Sequence, residues 1–495
     1  MLQYVRLCSV NQILANGESG VNKKLRNLLL IITASLMVAL SMIIGSGKAK
    51  EVNKSEVLPA RANAAGKEKS TRVISEASTE LGTFGDILYG EENIEDITAS
   101  ETDAENMKTM EETDSDNLEM TIDLKEESTE EIIAESETDR IVSGMSLEDK
   151  VAQLFIITPD ALANDTGVTM AGDVTKEAIN KTPVGGIIYM GDNIQTPDQV
   201  KKMLSNTNKY SMERTGLPMI MGVDEEGGTV SRVAGNSAFG VQDVGNMSDI
   251  GETGDSENAR QAGITMGTYL SDLGFNLDFA PVADVLTNPD NSIVKYRSFG
   301  SDVSTVSDMS LAISEGLRSK GIEVTYKHFP GHGATAGDTH IGAAFTNKTL
   351  DELRENELVP FQKAIDNGAK FIMVSHISTP NITGQDTPAS LSDILINKVL
   401  RQEMGYNGIV VTDAMEMGAV SSKFSSDEAA VQTILAGTDM ILMPEDFQTA
   451  YNGVVEAVKS GRISEDRLNE SVRRIVDVKL GMNTTTSGQQ VTRAD

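Results

Sequence analysis

Cysteine occurs once in 495 residues, at Cys8, so no internal disulfide can form and a cysteine-rich metal site is excluded. Bases are also in short supply. There are 42 Lys and Arg against 74 Asp and Glu, and the resulting charge of −32 argues against a nucleic-acid partner held by a basic surface. Histidine is rarer still, with four residues in the whole chain. Three of the four fall inside "KHFPGHGATAGDTH", Lys327 to His340, a glycine-rich stretch with little that favours a helix. So scarce a residue, gathered in one loop with a lysine and an aspartate, marks a candidate catalytic segment.

The acidity is uneven. Asp86 to Asp139 carries 21 acidic residues and two lysines, and self-repulsion with few core residues predicts a disordered, solvated spacer there. Ahead of it, Leu28 to Ile44 reads "LLLIITASLMVALSMII", an apolar run without a polar face, preceded by Lys23, Lys24 and Arg26. That order fits a secretory signal or an N-terminal membrane anchor, with membrane contact through residues 28–44. Gly47-Lys48-Ala49 offers small residues for cleavage, and no cysteine follows the run to carry a lipid. The residues before "VNKKLRN" do not resemble a signal start, so translation is expected to begin near Val21. The domain reading is therefore an export signal or anchor over 1–49, an acidic linker over 50–140, a globular domain over 141–483 and a polar tail over 484–495. The protein is expected outside the cytoplasm or on the outer face of a bacterial membrane, as a monomer.

The globular region contains eight short apolar runs: Val151 to Thr158, Val184 to Met190, Pro218 to Asp224, Phe275 to Asp284, Ile322 to Phe329, Phe371 to His376, Gly408 to Asp413 and Asp439 to Pro444. They are too short for helices and apolar on both faces, as buried parallel strands are. Amphipathic stretches such as Asp351 to Gly368 and Thr449 to Gly461 lie between them. Strand and helix alternating over roughly 340 residues predict an α/β fold, a (β/α)₈ TIM-type barrel, with an open doubly wound sheet as the alternative. Several runs stop at a charged or polar residue: Asp224, Asp284, Lys327 with His328, His376 and Asp413. In a parallel barrel those ends share the face on which active sites are built.

Metal binding is one reading of the histidines, since His328 and His332 are spaced i, i+4. Pro330, Gly331 and Gly333 break the helix that such a pair needs. Ordinary packing is the other reading and suits His332 within the turn. It suits His340 less well, because Asp338 at i−2 can orient that imidazole and raise its basicity, giving a proton shuttle near neutral pH.

Together with "GVDEEGGTVSRV", "NSIVKYRSFG" and "VVTDAMEMGAV", the segment "KHFPGHGATAGDTH" closely resembles glycoside hydrolase family 3, and within it the β-N-acetylhexosaminidase branch. The likeness runs from Met145 to Met482. It implies Asp413 as catalytic nucleophile, His340 as acid/base and Asp338 as its partner, with Asp224, Arg232, Arg297, Lys327 and His328 gripping the sugar. Thr229 departs from the arginine that relatives often carry in "EGGR". His376 is expected to line the pocket without a chemical role. Neither a metal nor another cofactor is implied, and the partner is a glycan containing N-acetylglucosamine. The implied reaction retains configuration: Asp413 forms a glycosyl ester while an acid protonates the leaving oxygen, and the same group then activates water.

Three rivals remain open at this level. A β-glucosidase or β-xylosidase of the family usually takes its acid/base carboxylate from a second domain, and only "NTTTSGQQVTRAD" follows Met482. A phosphorylase would suit a neutral histidine base, which repels phosphate less than a carboxylate does. A non-catalytic cell-wall sugar-binding protein on a barrel scaffold is the rival of another class.

Overall fold

Each of the eight apolar runs supplies one strand. In the computed structural model, which describes residues 136–335 and 344–491 and side chains as far as 482, these are β1 (Phe155–Ile157), β2 (Gly186–Ile188), β3 (Ile220–Val223), β6 (Leu277–Asp278), β7 (Glu323–Phe329), β8 (Phe371–Val374), β9 (Ile409–Thr412) and β10 (Ile441–Leu442). A two-stranded hairpin, β4 (Glu225–Gly227) and β5 (Val230–Ser231), projects after β3. Every residue of the eight strands is buried, as a parallel sheet covered on both faces requires.

The order β10-β1-β2-β3-β6-β7-β8-β9 is parallel throughout. Its ends meet: Val411 and Met440 form a parallel bridge, and the Thr412 N–H donates to the Met440 carbonyl at 3.0 Å. Closure removes both sheet edges and excludes the open sheet, so the fold is the (β/α)₈ barrel. The described residues all belong to one compact unit, Asp123–Asp495.

Helices cover the barrel where sequence signals allow. Thr196 and Gln199 form a capping box at the start of Pro197–Thr215, and Gly216 ends that helix in the left-handed region at φ 73°. Helices Ser256–Leu273 and Val303–Arg318 approach through glycine: a Cβ on Gly263 would lie 2.1 Å from the Ile313 carbonyl oxygen, and one on Gly316 2.3 Å from that of Arg260.

Some boundaries differ from expectation. The run Val151 to Thr158 is not one strand, because Val151–Gln153 ends the helix Leu147–Gln153. Ser146 caps that helix and Glu148 and Asp149 favour its N-terminus, so a buried helix end abuts a buried strand and the two read as one apolar run. Asp351 to Gly368 forms two helices, Leu350–Glu355 and Val359–Asp366, separated at Asn356. The expected linker boundary at 140/141 falls inside helix Glu137–Gly144, whose N-cap Ser136 accepts from the Asp139 N–H. Asp139 pairs with Arg473 at 2.7 Å, which docks this helix on the C-terminal one, so the last residues of the expected acidic linker are helical. The helix Glu465–Val491 likewise runs through the expected 483/484 boundary. The apolar segment 28–44 and the rest of the acidic spacer lie outside the described residues. Among the described residues no helix is long and apolar enough to cross a membrane.

Lys479, on the C-terminal helix, is fully buried, and its Nζ meets Gln153 Oε1 at 2.7 Å with no carboxylate partner among the described residues. Burial pushes its ammonium down to about 7 from the ordinary 10.5. Below pH 7 folded and unfolded chains are both protonated and the burial penalty is complete; between pH 7 and 10.5 the unfolded chain binds more protons, so this residue makes stability rise with pH. Lys479→Met is therefore expected to raise unfolding free energy at pH 7 by about 1–4 kcal/mol, the range for apolar replacement of buried charge. The gain should shrink towards pH 10, as read from urea denaturation at both pH values. A destabilised variant at pH 7 would mean that the ammonium is compensated.

Candidate active site

The strands deliver their polar ends to one face. Asp224 follows β3, Asp284 follows the Val282–Lys327 bridge beyond β6, and Asp413 follows β9 directly. On β7 the pairing with β8 skips: Tyr326 faces Ile372 and Phe329 faces Val374, three residues against two. Such a bulge re-aims side chains, and both Lys327 and His328 reach the same cleft. The cleft, about 550 Å³, is lined by Asp224, Glu226, Thr229, Arg232, Arg297, Lys327, His328, His332 and Asp413, with Met190, Met373, Met417 and Met443 as apolar walls.

Glu226 is the centre of its charge. This buried carboxylate takes a two-pronged contact from Arg297, Nε at 2.6 Å and Nη2 at 2.8 Å, and a third from Lys327 Nζ at 2.6 Å. Lys327 also reaches Asp224 Oδ1 at 2.9 Å. Burial alone would push Glu226 up, but the Arg297 and Lys327 charges hold it well below the usual carboxylate range. Burial would likewise weaken both cations; Glu226 and Asp224 outweigh it for Lys327, and Glu226 with Asp284 and Asp224 for Arg297, so both are held above their ordinary values. Two cations and two carboxylates thus satisfy one another on the largely buried floor of the cleft. The one sequence signal for Glu226 is its place two residues after Asp224, on the same face of an extended segment.

A second buried carboxylate, Asp284, organises the histidines. It accepts from His328 Nδ1 at 2.7 Å, from the His328 N–H at 3.2 Å and from the His332 N–H at 2.5 Å. Burial pushes Asp284 up, but His328 and His332 pull it below the usual range. In its neutral form His328 keeps the proton on Nδ1 towards Asp284, which leaves Nε2 to accept from Arg297 Nη2 at 3.3 Å. His332 stacks edge-on to His328 with centroids 5.7 Å apart and meets Thr335 Oγ1 through Nδ1 at 2.9 Å. Burial and the neighbouring His328 push its basicity down. It belongs to the cleft wall as well as to the turn. Among the described residues no group of three His, Cys, Asp or Glu side chains is placed to hold a metal.

Asp413 is half-buried at the cleft. Its N–H donates to the Val374 carbonyl at 2.8 Å, and its Oδ1 accepts from the Ala414 N–H at 2.8 Å. Burial pushes the carboxyl up, yet His328, His376, the Ala414 N–H and Lys327 together hold it below its ordinary value. Arg232 lines the same cleft, and its buried Nε has no partner among the described residues. Thr229 stands exposed beside it. His376 differs from expectation: it does not line the cleft but lies behind Asp413, with Nδ1 2.8 Å from Ser390 Oγ and Nε2 2.9 Å from the Ala414 carbonyl oxygen. The strand ends two residues earlier at Val374, and that offset turns the imidazole into the wall. Asp338 and His340 lie outside the described residues. Of the eight residues expected at the site, the other six share this one cleft.

Comparison with known proteins identifies the family. The model of the glycosyl hydrolase family 3 N-terminal domain matches residues 146–478. β-Hexosaminidase A of Pseudoalteromonas piscicida is 30% identical over 327 residues, 61% of this chain and 54% of that protein, so the match spans about half of the relative. β-Hexosaminidase LpqI of Mycobacterium tuberculosis is 32% identical over 345 residues, 68% of this chain and 83% of its own. Among solved structures, a family 3 β-N-acetylglucosaminidase from Paenibacillus sp. str. FPU-7 superposes with TM-score 0.64 at 36% identity, covering 68% of this chain and 63% of that one. A closed barrel, a cleft at its strand ends and a family match over two thirds of the sequence lead to one assignment: the chain belongs to glycoside hydrolase family 3.

Proposed function

We propose that this enzyme is a retaining exo-β-N-acetylglucosaminidase, releasing terminal N-acetylglucosamine from peptidoglycan fragments or chitin-type oligosaccharides. The observation that carries the proposal is the half-buried Asp413 carboxylate, which opens onto the cleft that also holds Asp224, Arg232, Arg297, Lys327 and His328. Relatives named as β-hexosaminidases and a β-N-acetylglucosaminidase support the choice of sugar.

In this reading Asp413 attacks the anomeric carbon and forms a glycosyl ester, with inversion at that carbon. A carboxylate held below its ordinary value stays ionised through the acidic and neutral range, as a nucleophile must. His340, oriented by Asp338, protonates the leaving oxygen. As a neutral imidazole it then takes a proton from the incoming water, and the second inversion restores the β configuration. Lys327 and Asp224, already 2.9 Å apart, offer a donor and an acceptor to adjacent sugar hydroxyls. Arg297 is locked by Glu226 and presents its guanidinium edge without a large entropy loss on binding, and Arg232 adds a second guanidinium to the same cleft. The Met190, Met373, Met417 and Met443 side chains supply apolar surface for the faces of the ring and its acetamido methyl. Residues 1–49 direct export, the acidic linker that follows holds the barrel away from the membrane, and water is the acceptor.

An aryl β-N-acetylglucosaminide should be cleaved at least about 100-fold better, in kcat/KM, than the matching glucoside, because the site must fill its acetamido contacts. Comparable rates on both would defeat the choice of sugar. Asp413→Ala should lower kcat by about 10⁴-fold or more while the folded variant still binds N-acetylglucosamine. Wild-type turnover in that variant would remove Asp413 from the mechanism. Proton NMR of the first product should show the β anomer before mutarotation, and an initial α anomer would mean inversion.

A further inference from the structure

His376, the one histidine outside the glycine-rich segment, has a place in the fold that packing alone does not account for. It is 1% exposed, two residues beyond β8, and both ring nitrogens are engaged. A carbonyl oxygen can only accept, so the ring nitrogen facing Ala414 at 2.9 Å carries a hydrogen. The other ring nitrogen meets the Ser390 hydroxyl at 2.8 Å. Ser390 is itself immobilised: its N–H donates to the Ser375 carbonyl at 3.0 Å, and its carbonyl accepts from Thr433 Oγ1 at 2.6 Å. The imidazole is therefore a strut between a fixed serine and the residue directly after Asp413.

Ala414 links that strut to the reacting carboxylate by hydrogen bonds on both sides. Its N–H donates to Asp413 Oδ1 at 2.8 Å, while its carbonyl accepts from His376 and from the Met417 N–H at 3.1 Å. Holding the carbonyl fixes the rotation of residue 414, and with it the direction in which its N–H presents to Asp413. We propose that His376 is a positioning residue for the reaction, fixing the Asp413 carboxylate through the Ala414 peptide units. This rests on the reading of Asp413 as nucleophile. The groups whose charge acts on that carboxylate are His328 and Lys327 from β7, His332 from the turn after it, and His376 from beyond β8. Of these, His376 alone lies outside the cleft, so its loss changes the aim and environment of Asp413 without removing a group that can touch sugar. Removing it also takes away one of the influences that hold the Asp413 carboxyl down, so the acid limb of activity moves to higher pH.

The test compares His376→Ala, His376→Gln, Ser390→Ala and Asp413→Ala in the full chain, with thermal melting to establish folding. His376→Ala should lose about 10- to 100-fold in kcat with KM within about twofold, and the acid limb of kcat/KM should rise by about half a pH unit or more. His376→Gln, whose amide can still donate to the Ala414 carbonyl, should recover most of kcat. Ser390→Ala, which frees the far side of the ring, should lose about two- to fivefold in kcat and serves if His376→Ala does not fold. A loss carried by KM, an unmoved acid limb, or Gln no better than Ala would overturn the inference, as would wild-type kcat in Ser390→Ala. Wild-type turnover in His376→Ala beside an inactive Asp413→Ala defeats this inference alone, whereas an active Asp413→Ala defeats the nucleophile reading on which it stands.

Discussion

One buried carboxylate, Glu226, holds two cations at once, and the shape of the cleft follows from that. Arg297 arrives on the loop after β6 and Lys327 on β7, segments with no local reason to converge. Charge brought out of water must be paired, and breaking such a pair costs about 3–5 kcal/mol, so each cation is confined to the one position that satisfies the shared acid. The arrangement leaves Lys327 in contact with Asp224, and Arg297 facing His328. The charged groups of the cleft are thereby held in place by one another.

The same economy recurs around Asp284, which receives two backbone N–H groups and the His328 ring. A protein with net charge −32 thus builds a site in which buried acids serve mainly to position bases. The bases in turn hold the Asp413 carboxyl below its ordinary value against its burial. The barrel makes this feasible because a closed parallel sheet gathers eight strand ends on one rim, and short strands bring distant parts of the chain within hydrogen-bond range.

Much of this was legible beforehand. The eight apolar runs became the eight barrel strands, and Asp224, Lys327, His328 and Asp413 were singled out because each stands where an apolar run stops. Asp284 was marked by the same strand-end rule but given no chemical part, and Glu226 was not marked at all, since an acid near a strand end has no signature of the partner that will meet it across the barrel. His376 was assigned to the pocket on the same strand-end rule and lies one layer behind it. Strand-end position is a one-dimensional signal, and it does not report the rotation of a side chain about the strand axis. The helix–strand junction at Leu154 was invisible for a related reason: full burial on both sides of the junction erased the difference between the two periodicities.

By itself, then, the sequence determined the class of fold, the family and several of the residues that meet at one rim, because alternating apolar and amphipathic segments and a conjunction of short motifs are local properties of the chain. Only the tertiary structure decided which carboxylates are shared between cations, which histidine faces the cleft and which supports it from behind. Those outcomes depend on distances of about 3 Å between residues up to 103 positions apart, such as Asp224 and Lys327 or Glu226 and Arg297, and pairing of that kind is set by closure of the barrel rather than by any local pattern.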